Sequence, residues 1–225
     1  MNSIKSRQSG FTLVEIAIVL VIIGVLLAGV LKGQALINNS RIKGLVNNMN
    51  AVSSAYNGYI DRYAAVPGTE ALPTLAARGW TTNTVGGVAP LNLANLPHAT
   101  TFATAGDQTA FWQSLGAAGF FATTPNTITN PTSANGGIIG VTFTPFGAAA
   151  GISGVSVCLS TVTGQQAEGV DVIIDGPLPV SNIGANVGSL QGVVNAAAPF
   201  NPAGANSAVA YNENSANFWT VCRSL

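Results

Sequence analysis

Charged residues are scarce in this chain. Only 7% of its 225 residues are charged, with 8 basic and 8 acidic side chains, against roughly 25% in an average soluble domain. Without a basic surplus to neutralise phosphates, the composition predicts no nucleic-acid partner. Because 48% of the residues are hydrophobic, the chain can bury enough surface to fold, which argues against disorder. So few charges favour a protein that lies partly in lipid or packs against copies of itself.

Basic residues are almost missing after residue 66. Arg78 and Arg223 are the only two there, against six acidic residues, which gives this part a net charge of −4. The same part is rich in Thr, Asn, Ala and Gly. A polar surface with few charges suits close packing among many like neighbours.

The motifs of common enzyme classes are also missing. No two of the 26 glycines stand two residues apart, which excludes a G-x-G nucleotide fingerprint, and no Gly-Lys pair indicates a P-loop. The G-x-S-x-G elbow is absent as well. His98 is the only histidine, and we interpret it as a surface residue rather than a metal ligand. The sequence predicts no enzyme, no catalytic residue, no metal and no cofactor.

One long hydrophobic run stands near the N-terminus. Residues 11–31 form an apolar run whose only charged residue is Glu15, and Lys5 and Arg7 precede it. As a helix the run spans about 30 Å, the hydrocarbon thickness of a bilayer. The basic residues before it predict that the chain after Leu31 lies outside the cytoplasm.

Two ordinary interpretations of this run compete. A secretory signal peptide would have a shorter apolar core followed by an A-x-A cleavage site, but this run is too long and no A-x-A follows it within reach. A plain single-pass anchor fits the length but leaves Glu15 unexplained, because a carboxylate inside a membrane helix costs about 2.5–3.5 kcal/mol. Such a residue normally marks a function or a partner.

The residues at the start of the run carry a resemblance. Gly10-Phe11-Thr12-Leu13-Val14-Glu15, after a short basic leader and before the apolar run, resembles the class III signal of type IV prepilins and pseudopilins. The resemblance implies that a membrane prepilin peptidase cuts between Gly10 and Phe11 and methylates the new N-terminus. Glu15 of one subunit is then expected to pair with the Phe11 ammonium of its neighbour. The alternative is a Glu15 that snorkels or is protonated.

The resemblance also implies a function and a location. We expect a structural subunit of a type IV pilus-like extracellular filament, a homo-oligomer built by pilus assembly machinery from subunits held in the bacterial inner membrane. The alternative within the family is a pseudopilin of a type II secretion or DNA-uptake system, which forms a periplasmic rod. An anchored periplasmic enzyme or binding module would show clustered ionisable groups, and the sequence shows none.

The predicted helix is longer than the membrane-like run. Apolar residues recur at steps of three and four from Ile42 to Tyr63, until Pro67-Gly68 stops the pattern. One helix over residues 11–66 is therefore predicted. The chain divides into a removed leader, an assembly helix, an amphipathic half of the same helix and a globular head, at residues 1–10, 11–33, 34–66 and 67–225.

Two sets of residues on this helix have two interpretations each. We interpret three glycines of the assembly half as sites of close packing or bending, or alternatively as tolerated small residues: Gly24, Gly29 and Gly33. Three tyrosines of the amphipathic half are predicted to pack in the core, the alternative being an electron path or an adhesive face: Tyr56, Tyr59 and Tyr63.

The rest of the chain predicts an α+β head in which the long helix packs against an antiparallel sheet. A short helix is expected at 108–118, capped by Asp107. Segments with strand patterns are 138–144, 153–161 and 217–222. Segment 165–175 fits both patterns, and we favour a helix because related pilin-like chains tend to carry one there.

Four residues of the head are candidates for specific chemistry. Cys158 and Cys222 are expected to form one disulfide, since an exported chain meets an oxidising compartment and pilin heads carry a similar staple; two free thiols are the alternative. Asp171 and Asp175 stand four residues apart. They can share a calcium ion with loop carbonyls, but a turn with a solvated carboxylate is favoured.

Overall fold

The computed structural model describes most of the chain. The described residues are 12–80, 100–103, 107–121, 130–146, 152–177, 186–202, 209–211 and 216–225, without the side chain of Asp107. The chain divides into two compact units, Met1–Ser40 and Arg41–Leu225. The predicted segment boundaries at residues 33 and 66 remain predictions.

Helix α1, Leu13–Tyr63, begins in the first unit and ends in the second. The helix ends at Tyr63, three residues before the end predicted near Val66. Ala64 takes a left-handed φ of 52° while its N–H still bonds the Ile60 carbonyl. That conformation ends a helix, so the chain leaves α1 before it reaches Pro67.

The second unit contains a four-stranded antiparallel sheet in the order β1-β2-β4-β3. Its strands are β1 (Ile139–Phe143), β2 (Val155–Thr163), β3 (Leu190–Asn195) and β4 (Phe218–Ser224). Of the other described helices, α2 (Leu72–Ala77) and α3 (Asp107–Ala117) lie between α1 and β1, and α4 (Gly164–Ile174) lies between β2 and β3. The predicted α+β class, a long N-terminal apolar helix with a C-terminal antiparallel sheet, is confirmed.

The second half of α1 forms one wall of the core. Seven of its side chains are buried: Ile42, Leu45, Val46, Met49, Val52, Ala55 and Tyr59. They pack in one cluster with Phe111 and Leu115 of α3 and with Leu159 and Val221 of the sheet. The period of three and four that predicted this face of α1 therefore describes its burial correctly.

The other face of the sheet is covered as well. Cys158 and Cys222 pack there with Phe102, Phe146 and Ile152 in a second, smaller cluster. Since successive strand residues point to opposite faces, Cys158 lies away from α1 while its neighbours in β2 point toward it.

Most of the predicted elements of the head are present. The helix at 108–118 and the three strands are confirmed within two residues at each end. Segment 165–175 is helix α4, started by a capping box in which Thr163 and Gln166 satisfy each other's backbone N–H groups. Sequence reasoning missed α2 and the edge strand β3.

Candidate processing and assembly site

The described part of the signal begins at the N-terminus of α1, where Thr12 and Glu15 form a capping box. The Thr12 N–H and Oγ1–H donate to Glu15 Oε2 at 2.8 and 2.9 Å, and the Glu15 N–H lies 3.3 Å from Thr12 Oγ1. The order Thr-x-x-Glu before an apolar run is a sequence signature of such a box, and sequence reasoning missed it. The two hydrogen bonds that the Glu15 carboxylate accepts both end on Oε2, so the capping box does not use Oε1.

Residues Gly10 and Phe11, the predicted cleavage position, lie outside the described residues. The predicted contact between Glu15 and the Phe11 ammonium of a neighbour therefore remains a prediction. Glu15 itself is exposed and lies at the first turn of α1.

The first 20 residues of α1 expose almost every large hydrophobic side chain. Their exposed fractions run from 46% for Ile23 to 90% for Leu13. Among the described residues, α1 is the one helix long and apolar enough to cross a membrane. Since apolar surface on this scale is strongly unfavourable in water, this segment requires lipid or other helices around it.

The five glycines of α1 fall into two groups. A Cβ added at Gly24, Gly29 or Gly33 would meet no atom of the chain within 4 Å. A Cβ at Gly44 would lie 2.5 Å from the Ala134 Cβ, and one at Gly58 would lie 2.9 Å from the Phe120 ring. The later glycines thus permit close packing inside the second unit, whereas the earlier three have no such role within one chain.

The three tyrosines near the end of α1 belong to an aromatic cluster. Tyr59 is fully buried, and its ring centroid lies 4.7 Å from that of Tyr63. The Tyr59 hydroxyl donates to Glu70, which also pairs with Arg78. Burial and the Glu70 hydrogen bond raise the pKa of Tyr59 above its ordinary range. The tyrosines therefore take the predicted place in the core, and an electron path or adhesive face remains untested.

The cysteines occupy facing positions of two neighbouring strands. Cys158 of β2 and Cys222 of β4 are paired in register, with 4.1 Å between their Cα atoms, and a disulfide joins them. This spacing is close to that of a non-hydrogen-bonded pair in an antiparallel ladder. The bridge links the two central strands of the sheet.

Asp171 is fully buried at the end of α4. Among the described residues, no N–H or O–H donor reaches either of its oxygens, and its neighbour is the carboxyl of Asp175. Two carboxylates share a hydrogen bond only when one is protonated. Burial, and after it the neighbouring carboxyls of Asp175 and Glu168, together raise the pKa of Asp171 to about 7.

Asp175 is hydrogen-bonded to the start of β3 and the residue before it. It accepts hydrogen bonds from the Ser189 hydroxyl and from the Leu190 N–H, the latter at 2.9 Å. This turn is therefore tied to β3 rather than merely solvated. Among the described residues, no group of three or more His, Cys, Asp or Glu side chains is arranged to hold a metal ion. His98 lies outside the described residues.

Comparison with known proteins gives one match. The family model described as the prokaryotic N-terminal methylation motif matches residues 5–31. No curated protein and no solved structure matches the chain. The matched residues include the basic leader, the Gly10-Phe11 junction, Glu15 and the apolar run. The chain thus carries, at residues 5–31, the prepilin-type signal of type IV pilins and pseudopilins, and the rest of the chain has a pilin-like α+β fold.

Proposed function

We propose that this protein is the structural subunit of a type IV pilus-like extracellular filament, cut after Gly10 and polymerised through α1. The observation that carries the proposal is the exposed apolar first part of α1, joined to the matched N-terminal signal. Before assembly this part crosses the inner membrane. In the filament the same surface is covered by the corresponding helices of other copies.

The apolar surface of α1 is covered both in the membrane and in the proposed filament. Each large apolar side chain contributes about 1.5–3 kcal/mol when it leaves water. Lipid already provides this gain, so transfer from membrane to filament is close to neutral and needs only small directional interactions to proceed. Open space at Gly24, Gly29 and Gly33 lets a neighbouring helix approach closely.

Glu15 supplies the directional interaction in this proposal. The Thr12 capping box holds its carboxylate at the helix N-terminus, close in sequence to the ammonium that cleavage creates on Phe11. Pairing with the ammonium of the next subunit fixes the axial register, because a charge left alone in an apolar surrounding costs about 3–5 kcal/mol.

Two variants separate the charge of Glu15 from its capping role. Glu15→Gln keeps an oxygen acceptor for Thr12 but removes the charge, and we expect normal cleavage with at least tenfold fewer filaments, the ratio for about 1.4 kcal/mol. Thr12→Val removes the hydroxyl and keeps the charge, so filaments should persist. The readout is the yield of sheared surface filaments, together with the intact mass of the subunit.

The outcomes distinguish the proposal from its alternatives. If Glu15→Gln assembles normally, the charge pair is not required and that part of the proposal is wrong. Wild-type protein that is cut but stays in the cell envelope would favour a pseudopilin of a secretion or DNA-uptake system. An uncut chain starting at Met1 would contradict processing altogether.

A further inference from the structure

Strand β3 lies at the edge of the sheet, with β4 on its one paired side. In an antiparallel ladder alternate residues point their N–H and C=O groups toward the neighbour and away from it. The backbone N–H and C=O of Gly192 are hydrogen-bonded to the side chain of Asn186, and the N–H of Leu190 donates to Asp175. Leu190 and Gly192 therefore direct their backbone groups outward, away from β4. An outward row of such groups is a template for an additional strand.

Asn186 occupies both outward groups of Gly192. Its Nδ2 donates to the Gly192 carbonyl at 2.5 Å, and its Oδ1 accepts from the Gly192 N–H at 2.6 Å. A primary amide presents one donor and one acceptor side by side, as a strand residue does. Asn186 is only 6% exposed, so it fills the place that a pairing strand would take.

Asp175 and Tyr211 complete the coverage at Leu190. Asp175 accepts from the Leu190 N–H, and the Tyr211 hydroxyl lies 3.5 Å from the Leu190 carbonyl and 3.2 Å from Asn186 Oδ1. Tyr211 is itself 5% exposed and packs against Trp219, with 4.7 Å between ring centroids. We name these three side chains, Asp175, Asn186 and Tyr211, the β3 clasp.

The sequence of β3 makes such a cover necessary. Natural edge strands are commonly protected by Lys, Pro or an inward charge, but Leu190–Asn195 reads LQGVVN and contains none of these. The part of the chain after residue 66 also carries few charges, which provides little repulsion between copies. A filament subunit meets its own copies at very high local concentration, where an open edge would pair.

We propose that the β3 clasp keeps the edge of the head sheet closed to strand addition by a second copy of this chain. The three clasp residues come from separate parts of the chain: the end of α4, the residue four before β3, and the segment before β4. Closure therefore occurs only after the head has folded, which leaves β3 exposed to pairing in partly folded chains. The clasp thus prevents pairing of β3 with other copies only in the folded head.

The first test is residue-resolved hydrogen exchange on the full-length chain in detergent micelles. In the wild type, the outward Gly192 amide should exchange as slowly as the inward amides of Gln191 and Val193, which face β4. If the Gly192 amide instead exchanges as fast as that of an exposed loop residue, the clasp does not hold and the proposal is wrong.

The second test is removal of the amide. Asn186→Ala should shift the chain to larger, concentration-dependent oligomers by light scattering, and any remaining monomer should exchange the Gly192 amide about tenfold faster than the wild type. Asn186→Asp keeps an acceptor for the Gly192 N–H but turns a charged oxygen toward the Gly192 carbonyl in place of the donor, so this variant should also release the Gly192 carbonyl and associate.

The matched control is Asn135→Ala. Asn135 also binds backbone groups, those of Gly137 and Thr161, but it does so away from β3. If Asn135→Ala oligomerises as strongly as Asn186→Ala, general destabilisation causes the association and the clasp is not the reason. Oligomers confined to the Asn186 variants support the proposal. Should Asn186→Ala fail to fold, the wild-type exchange rates and Asn186→Asp still decide.

Discussion

At the scale of single residues, two acids of this chain act through local hydrogen bonds that differ in their consequences. Glu15 binds Thr12 at an exposed helix start, where its charge remains available to a partner. Asp171 is buried against Asp175, and in the described part of the chain no other group donates to its carboxyl. Because the second environment penalises charge, Asp171 is the group most able to make stability depend on pH.

We expect the head to lose stability as the pH rises. The pKa of Asp171 is raised to about 7 in the folded chain from about 3.9 when unfolded. The folded state therefore binds more protons between these values, and its free energy of unfolding falls as the pH rises from about 4 to about 7. Asp171→Asn, which stays neutral, should flatten this dependence and raise the Tm at pH 8.

The predicted pH dependence is measured by thermal unfolding followed by tryptophan fluorescence, since all three tryptophans lie in the second unit. The matched control is Asp61→Asn, which changes an exposed acid of α1 in the same way. A pH dependence that survives Asp171→Asn, or disappears equally in Asp61→Asn, would show that Asp171 is not its source.

At the scale of elements, α1 performs two tasks with one continuous helix. Its first part exposes apolar side chains on all sides, and its second part buries one stripe against the sheet and α3. The space around the glycines of α1 differs between these two parts. Gly44 lies against Ala134, where a side chain has no room, whereas Gly29 faces open space in the single chain.

The same substitution should destabilise the head at one of these two glycines and leave its stability unchanged at the other. Gly44→Val forces a branched side chain against a rigid methyl group and should cost about 1–3 kcal/mol, lowering the Tm by several degrees. Gly29→Val should leave the Tm unchanged and reduce filament yield if the assembly helices approach closely there. Equal Tm values for Gly44→Val and wild type would contradict the packing of α1 on the head.

At the scale of the whole molecule, the disulfide ties the C-terminal strand to the centre of the sheet. Cys158 and Cys222 stand 64 residues apart in the chain, so opening the bridge releases a long loop in the unfolded state. The chain-entropy model gives about 4 kcal/mol for a loop of this length. For a unit of this size that corresponds to a Tm change of roughly 10 °C.

The double variant Cys158→Ala, Cys222→Ala measures this contribution. Alanine avoids placing new hydroxyl groups among Phe102, Phe146 and Ile152. The variant should unfold at a Tm roughly 10 °C below that of the oxidised wild type, and the wild type in reductant should approach it. If the oxidised wild type and the variant share one Tm, the bridge does not stabilise the head.

Much of the fold could be predicted because the relevant signals are local. The apolar run, the stripe from Ile42 to Tyr59 and the alternation in β2 are each written in one stretch of sequence and require no knowledge of distant residues. The capping box at Thr12 was equally local and was simply overlooked. Strand β3 was missed because its short, Gly-containing sequence becomes a strand through pairing with β4.

The sequence by itself determined the prepilin-type signal, the long apolar helix and the α+β class, since these depend on composition and on periodicities of a few residues. Only the tertiary structure decided which polar groups are buried and what they meet. Asp171 and Asn186 look ordinary in sequence, and they matter because folding brings Asp175, Gly192 and Tyr211 to them. Their burial depends on the packing of the whole head, and the exclusion of water at those places gives each polar contact its energetic weight.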